Sequence, residues 1–270
     1  MKSILLHVHD DHGQQDRISV ALDIALAHRA KVNCVQTWAV SEFLAVAPMS
    51  GLFPDVSYLR RDEQSDAEGR AALKHRLRDA RAEGTWVAAD GEPAAAVLGA
   101  SRLSDLIILS RKDDSAGEGA APLNIVADVV VHARPPVLVV PPAQAGFKSK
   151  GDFVVAWNGT AEVAHSLRLT LPMLKQAGNI VFVTVNDGAS ELPASEGQRY
   201  LAAHGIESST RSWSCNGRGV AHAIQKAADE LSASCIVMGA YGRSRMREMI
   251  LGGATRDLLS SATVPLLLAH

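Results

Sequence analysis

The feature that most constrains this chain is a repeat of its own core strands. Leu106-Ile107-Ile108-Leu109 and Pro136-Val137-Leu138-Val139-Val140 lie, without a gap, on Cys235-Ile236-Val237-Met238 and Pro265-Leu266-Leu267-Leu268-Ala269. Asp128 falls on Asp257 in the same frame. Two apolar runs and the helical stretch between them rarely keep one frame by chance, so the chain reads as two copies of one plan. Upstream, Trp86 and Gly91 are matched with Trp213 and Gly217, with a helical turn added in the second copy.

Within each copy, strand-length apolar runs alternate with helical patterns. Expected strands are 4–8, 32–37, 85–88, 106–109 and 137–140, then 153–157, 180–185, 209–213, 235–238 and 265–268. Expected helices are 16–28, 62–83, 93–103 and 124–132, then 161–176, 190–204, 220–231 and 254–261. Such alternation, with uniformly apolar strands, implies a parallel sheet covered by helices on both faces. The expected fold is α/β, in two tandem domains, residues 1–142 and 151–270, each a five-stranded parallel sheet flanked by helices. Pro141-Pro142-Ala143-Gln144-Ala145-Gly146 has the composition of the linker between them.

Composition narrows the function classes. A chain of 270 residues suits two ordinary domains, and 47% hydrophobic with 21% charged residues suits a soluble protein with filled cores. The net charge of −2 offers no basic excess for nucleic acid, and 4% aromatic residues leave little to stack bases on. Cys34, Cys215 and Cys235 form no CxxC pair, which excludes a zinc ribbon or a dithiol redox motif. Cys34 and Cys235 lie in strand-like runs and read as inert core thiols. A sparse, odd cysteine count fits a reducing cytoplasm. The first residues enter a strand without a signal-peptide core, and no apolar run is long enough to span a bilayer; cytoplasmic localisation is therefore expected.

One motif carries chemistry. Gly239-Ala240-Tyr241-Gly242, and after nine residues Gly252-Gly253-Ala254-Thr255, join an apolar strand to the start of a helix. Strand, glycine loop and helix N-terminus are the parts of a phosphate cradle, because glycine admits close backbone N–H groups and the helix dipole favours an anion. A tight strand-to-helix connection that needs glycine only for its turns is the alternative. In the repeat frame, Gly239, Gly242, Gly252 and Gly253 face Ser110, Asp113, Leu123 and Asn124. The first copy thus makes the connection without these glycines. Asp113 and Asp114 also place negative charge where a phosphate would lie. A nucleotide bound through this loop belongs to the second copy.

These residues resemble the universal stress protein family in its tandem two-domain form. The carriers are Met238-Gly239-Ala240-Tyr241-Gly242-Arg243-Ser244, the nine-residue gap to Gly252, and the closing Val264-Pro265-Leu266-Leu267-Leu268. The family signature ends in Ser or Thr after the third glycine, where this chain has Gly253. Asp90-Gly91-Glu92-Pro93 with 106–109 extends the likeness to the first half. The resemblance implies a Rossmann-like, adenine nucleotide alpha hydrolase-like sheet, and a stress-response regulator or sensor that binds ATP or a related adenine nucleotide, with Mg accompanying it. It implies a binding set of Asn158, Val185, Met238, Gly239, Gly242, Arg243, Gly252, Gly253, Ala254 and Thr255. Asn158 stands where the family usually has an acidic residue, and His9 is its counterpart in the first half. Thr255 and Ser244 are the hydroxyls nearest the missing one. In the family, domains dimerise through the last strand; here 137–140 can meet 265–268 within one chain, around a pseudo-twofold axis, and a homodimer of chains is a further expectation.

Other constellations compete. His7, His9, Asp10 and His12 suggest a metal-dependent hydrolase, with His7 and His9 on one strand face. Against that, His9 matches Asn158 and no later cluster completes a site. Gly217-Arg218-Gly219 resembles the start of a dinucleotide fingerprint but has His222 at the third glycine position, and reads better as a helix-leading turn. Residues 42–59, apolar and rich in Pro and Gly, are a candidate lid or subunit contact. No nucleophile is paired with a base and orienter, so no catalytic residue is assigned and hydrolysis of ATP is at most slow. A scaffold of the same fold that binds no nucleotide is the remaining reading.

Overall fold

The computed structural model describes residues 1–9, 11–37, 70–71, 73–79, 82–89, 92–111, 125–185, 192–240 and 253–270. The strands are β1 (Ser3–Val8), β2 (Lys31–Thr37), β3 (Gly84–Ala89), β4 (Leu106–Ser110), β5 (Val137–Val140), β6 (Phe153–Ala156), β7 (Ile180–Val185), β8 (Ser209–Trp213), β9 (Cys235–Gly239) and β10 (Leu266–Ala269). The helices are α1 (Gln14–His28), α2 (73–79), α3 (Pro93–Ala100), α4 (Val126–His132), α5 (Ala161–Leu169), α6 (Leu171–Leu174), α7 (Ala194–Ala203), α8 (Val220–Glu230) and α9 (Gly253–Ser261). All strands join one sheet in the order β3-β2-β1-β4-β5-β10-β9-β6-β7-β8. Each half is parallel and runs 3-2-1-4-5 in its own count. The halves meet where β5 and β10 pair antiparallel, with Leu267 opposite Leu138.

The repeat is visible in the ladder. Ile4 faces Leu106 between β1 and β4, as Phe153 faces Cys235 between β6 and β9. The Ile107 N–H donates to Pro136 O at 3.0 Å, and the Ile236 N–H to Pro265 O at the same distance. Asp105 N–H to Ser3 O and Ser234 N–H to Asp152 O are likewise both 2.7 Å. Val129 and Leu258, frame partners in α4 and α9, are both fully buried, whereas Asp128 and Asp257 lie on the solvent side.

Alternate strand residues feed two cores. Ile4, Leu6, Phe153 and Val155 pack beneath α1, α2, α5, α6 and α7. Leu5, Ile107, Val154 and Ile236 pack beneath α3, α4, α8 and α9. The strand centres are apolar on both faces because helices cover both. The matching faces of the two halves lie on the same side, so the pseudo-twofold axis passes through the sheet near Leu138 and Leu267.

Two expectations change. The proposed match of Trp86 with Trp213 fails: Cys34 faces Trp86 and Phe182 faces Thr210, so Trp86 corresponds to Thr210 and Trp213 to Ala89. The two indoles lean on opposite cores. The helix expected over 161–176 breaks at Thr170 into α5 and α6, with Pro172 in the first turn of α6. Proline lacks the N–H that a continuous helix needs there.

The first half contains a buried ion pair without a counterpart in the second. Arg17 on α1 is 1% exposed and donates to His7 O at 3.1 Å, His9 O at 2.9 Å and both carboxylate oxygens of Asp11. Ser166 occupies the equivalent place on α5. Removing one member of a buried pair strands the other charge, at a cost of about 3–5 kcal/mol. Asp11→Ala is therefore expected to lower stability by about that amount in urea unfolding. A loss under about 1 kcal/mol would show that the pair is solvated.

Candidate functional site

The second-half candidates collect at one edge of the sheet because β7, β6 and β9 are adjacent and parallel. Their C-terminal ends carry Val185, Asn158, and Met238 with Gly239. In open α/β sheets this edge, at the switch point between β6 and β9, is where ligands enter. Val185 is half-buried against the α8–α9 core. Met238 is 6% exposed, and its carbonyl accepts the buried Ser166 hydroxyl at 3.0 Å. Ser166 thus ties α5 to the end of β9. The repeat frame points to this position only as the partner of Arg17, so sequence reasoning missed it.

Asn158 is exposed, with its Oδ1 accepting both the N–H of Thr160 at 3.2 Å and its hydroxyl at 3.1 Å. The backbone donor fixes the amide orientation: the oxygen faces Thr160. An asparagine in this place serves the local turn, which an apposed carboxylate would also do while adding charge.

α9 begins at Gly253, with Ala254 half-buried and Thr255 buried in its first turn. A helix leaves its first N–H groups without intrahelical acceptors, so this end is suited to an anion. Among the described residues, a Cβ built on Gly253 meets no atom within 4 Å. Among these residues, neither a steric contact nor a positive φ requires glycine there. Gly242, Arg243, Ser244 and Gly252 lie outside the described residues, as do Asp113, Asp114, Leu123, Asn124, Asp10 and the 42–59 segment.

Gly239 has a different cause. A Cβ there would meet Val163 N at 2.5 Å and Glu162 C at 2.7 Å, because the N-terminus of α5 abuts the end of β9. The first half makes the same approach with the glycine on the other partner. A Cβ on Gly13, at the start of α1, would meet Ser110 Oγ at 2.7 Å. Ser110 is the frame partner of Gly239, and Gly13 that of Glu162. Each half therefore spends one glycine on the same helix-to-strand contact. This glycine answers a packing demand shared by both halves, which corrects, for Gly239 alone, the reading that the connection does not demand these glycines.

Two members of the His7–His12 cluster, His7 and His9, make structural contacts. His7 is buried, its Nε2 bonded to Thr37 Oγ1 at 2.9 Å, and its ring stacks on His9 at 6.1 Å between centroids. Among the described residues, no group of three or more His, Cys, Asp or Glu is placed to hold a metal ion. Burial first, then the Arg17 charge and His9, hold the His7 imidazole well below its ordinary range. Gly217 and Gly219, with φ of 75° and 89°, shape the turn into α8, in line with the helix-leading reading. Cys34 and Cys235 are buried, and burial pushes the Cys34 thiol up to about 12. Neither is a nucleophile at neutral pH.

Two outcomes follow from this geometry. Gly239→Ser is expected to cost about 1–3 kcal/mol in denaturant unfolding. Adding Glu162→Gly removes the 2.9 Å contact with the Glu162 Cβ but leaves those with Val163 N and Glu162 C, so it recovers part of the loss; fully additive losses in the double-mutant cycle would disprove the shared contact. Second, His7 must charge when the chain unfolds in acid. Its stabilisation is complete above about pH 6.5 and falls as pH drops below that value. His7→Gln is expected to flatten the dependence of the urea midpoint between about pH 7 and pH 5; an unchanged slope would place the acid sensitivity elsewhere.

Residues 164–270 match the Universal stress protein family. No curated protein matches the chain. Among solved structures, a universal stress protein from Archaeoglobus fulgidus aligns over 99% of this chain and 95% of its own, at 18% identity and a TM-score of 0.75. Two Pseudomonas aeruginosa proteins, one classed with the universal stress proteins and one of unknown function, each align over all of this chain at 15% identity. They cover 93% and 92% of their own lengths, with TM-scores of 0.59 and 0.61. At such identities the likeness is one of fold. The second half thus matches the universal stress protein family over residues 164–270, and over its whole length the chain shares the fold of a solved universal stress protein.

Proposed function

We propose that the second half binds ATP or a related adenine nucleotide at the ends of β6, β7 and β9, and that the protein acts as a nucleotide-linked regulator or sensor in a cytoplasmic stress response. The observation that carries this reading is the convergence of Asn158, Val185, Met238 and the α9 N-terminus at the switch point of the sheet. The base side faces Val185, and the phosphates lie toward Gly253–Thr255, with Arg243 as a cation for them. Mg accompanies the phosphates as their counter-ion. Among the described residues, no helix is long and apolar enough to cross a membrane.

A second reading has its own support. Because Gly239 is explained by the α5 contact, one glycine of the signature no longer speaks for a ligand. A scaffold of the same fold that binds no nucleotide keeps Gly239 for packing alone.

Calorimetry with ATP and AMP on the full chain separates the two. The nucleotide reading expects heat of binding that Gly242→Asp, imitating Asp113, abolishes without unfolding the protein. Gly253→Ser, which meets no steric contact among the described residues, adds one hydrogen bond to a charged phosphate and tightens binding by about one to two decades. No binding at millimolar nucleotide supports the scaffold.

A further inference from the structure

The ends of the sheet are unlike each other. Among the described residues, β3 and β8 each pair on one side only, with β2 and β7. β8 is Ser-Thr-Arg-Ser-Trp, with the charge of Arg211 exposed at its centre. β3 is Gly-Thr-Trp-Val-Ala-Ala, six residues without a charge or a proline. Gly84, Thr85, Val87 and Ala88 are exposed, Val87 at 53%. Natural edges are normally blunted by charge, proline or a bulge. β8 shows that device and β3 does not.

The β2–β3 ladder fixes what this edge offers. Val32 N–H donates to Glu83 O at 2.9 Å, and Val32 faces Gly84 in the register. In a parallel ladder the bonding residues on one strand alternate, so 83, 85, 87 and 89 turn toward β2. Gly84, Trp86 and Ala88 therefore turn their N–H and C=O groups outward. Such a set is self-complementary: an antiparallel second copy with Trp86 on the axis sets Gly84 against Ala88 and Trp86 against itself. Each facing pair then exchanges both bonds. Thr85 and Val87 become cross-strand neighbours, covering the exposed valine with a β-branched partner. A register shifted by one residue would set outward groups against inward ones and is excluded by parity.

We propose that β3 is the contact surface of a homodimer, in which two copies of this chain pair antiparallel through β3 and extend the sheet across a second twofold axis. A second copy is the occupant the edge fits, because the strand itself carries no charge and the cation of Arg70 is stacked on the Trp86 ring at 5.4 Å rather than placed on the strand edge, whereas self-pairing through β8 brings Arg211 near its own copy. The chain also already joins sheets in this way internally, at β5 and β10.

Sedimentation velocity on the full chain across a concentration series tests the proposal. The unmodified protein is expected to show a monomer–dimer equilibrium. Val87→Lys places a cation on the exposed edge, and Ala88→Pro removes an outward donor while sparing the bonds to β2. Each variant should keep its circular dichroism spectrum and weaken the dimer about tenfold or more. Thr210→Lys on β8 should leave the dimer intact. A protein monomeric at all concentrations, or a dimer that survives both β3 changes, overturns the assignment, and so does an edge that captures only extended peptides of other sequence.

Discussion

Antiparallel pairing of β5 with β10 turns two five-stranded sheets into one and removes from solvent the most apolar edge of each. Val137–Val140 and Leu266–Ala269 are buried on both faces of the sheet. Each Val or Leu side chain so enclosed contributes about 1.5–3 kcal/mol relative to exposure. Left open, either strand would template aggregation. The pairing also sets the geometry of function. Strands of the two halves run in opposite directions across it, so their carboxyl ends, and with them the two potential ligand edges, emerge on opposite sides of the sheet.

Those two edges have diverged while keeping the same scaffold. Both halves need a helix N-terminus pressed against the end of the fourth strand, and both meet the need with one glycine. The first half places it on the helix, at Gly13, and the second on the strand, at Gly239. Beneath that contact the second half uses the small hydroxyl of Ser166, while the first uses Arg17, pinned by Asp11 and two backbone carbonyls. A buried guanidinium, a carboxylate and the stacked pair of His7 and His9 fill the first edge with groups satisfied by one another. The second edge ends instead in an exposed asparagine and the N-terminus of α9.

Much of the fold was legible because its signals are periodic and long. Uniformly apolar strands, the frame linking 106–109 with 235–238, and the linker prolines lead to the parallel halves and their helices. The break at Thr170 was legible in Pro172, a local signal outweighed by the helical pattern around it. The false match of Trp86 with Trp213 arose because identical residues were aligned across an edge strand, where little burial constrains the register. At the site, Gly239 stood out, yet its cause did not. A steric demand between chain segments far apart in sequence leaves no local trace. It becomes readable only when the frame is carried back through His9 and Asn158, which sets Gly13 on Glu162. Ser166 was silent for the same reason: a hydroxyl that ties elements together looks like any other hydroxyl on a helix.

The central claim is that duplication left one half as a ligand edge and closed the other with its own side chains. The most direct measurement is a structure of the full chain with ATP at saturating concentration. One nucleotide per chain is predicted, lying across the ends of β6, β7 and β9 with its phosphates at the start of α9. Nucleotide at the ends of β1 and β4, beside Arg17 and Ser110, would contradict the account, and so would an empty second edge.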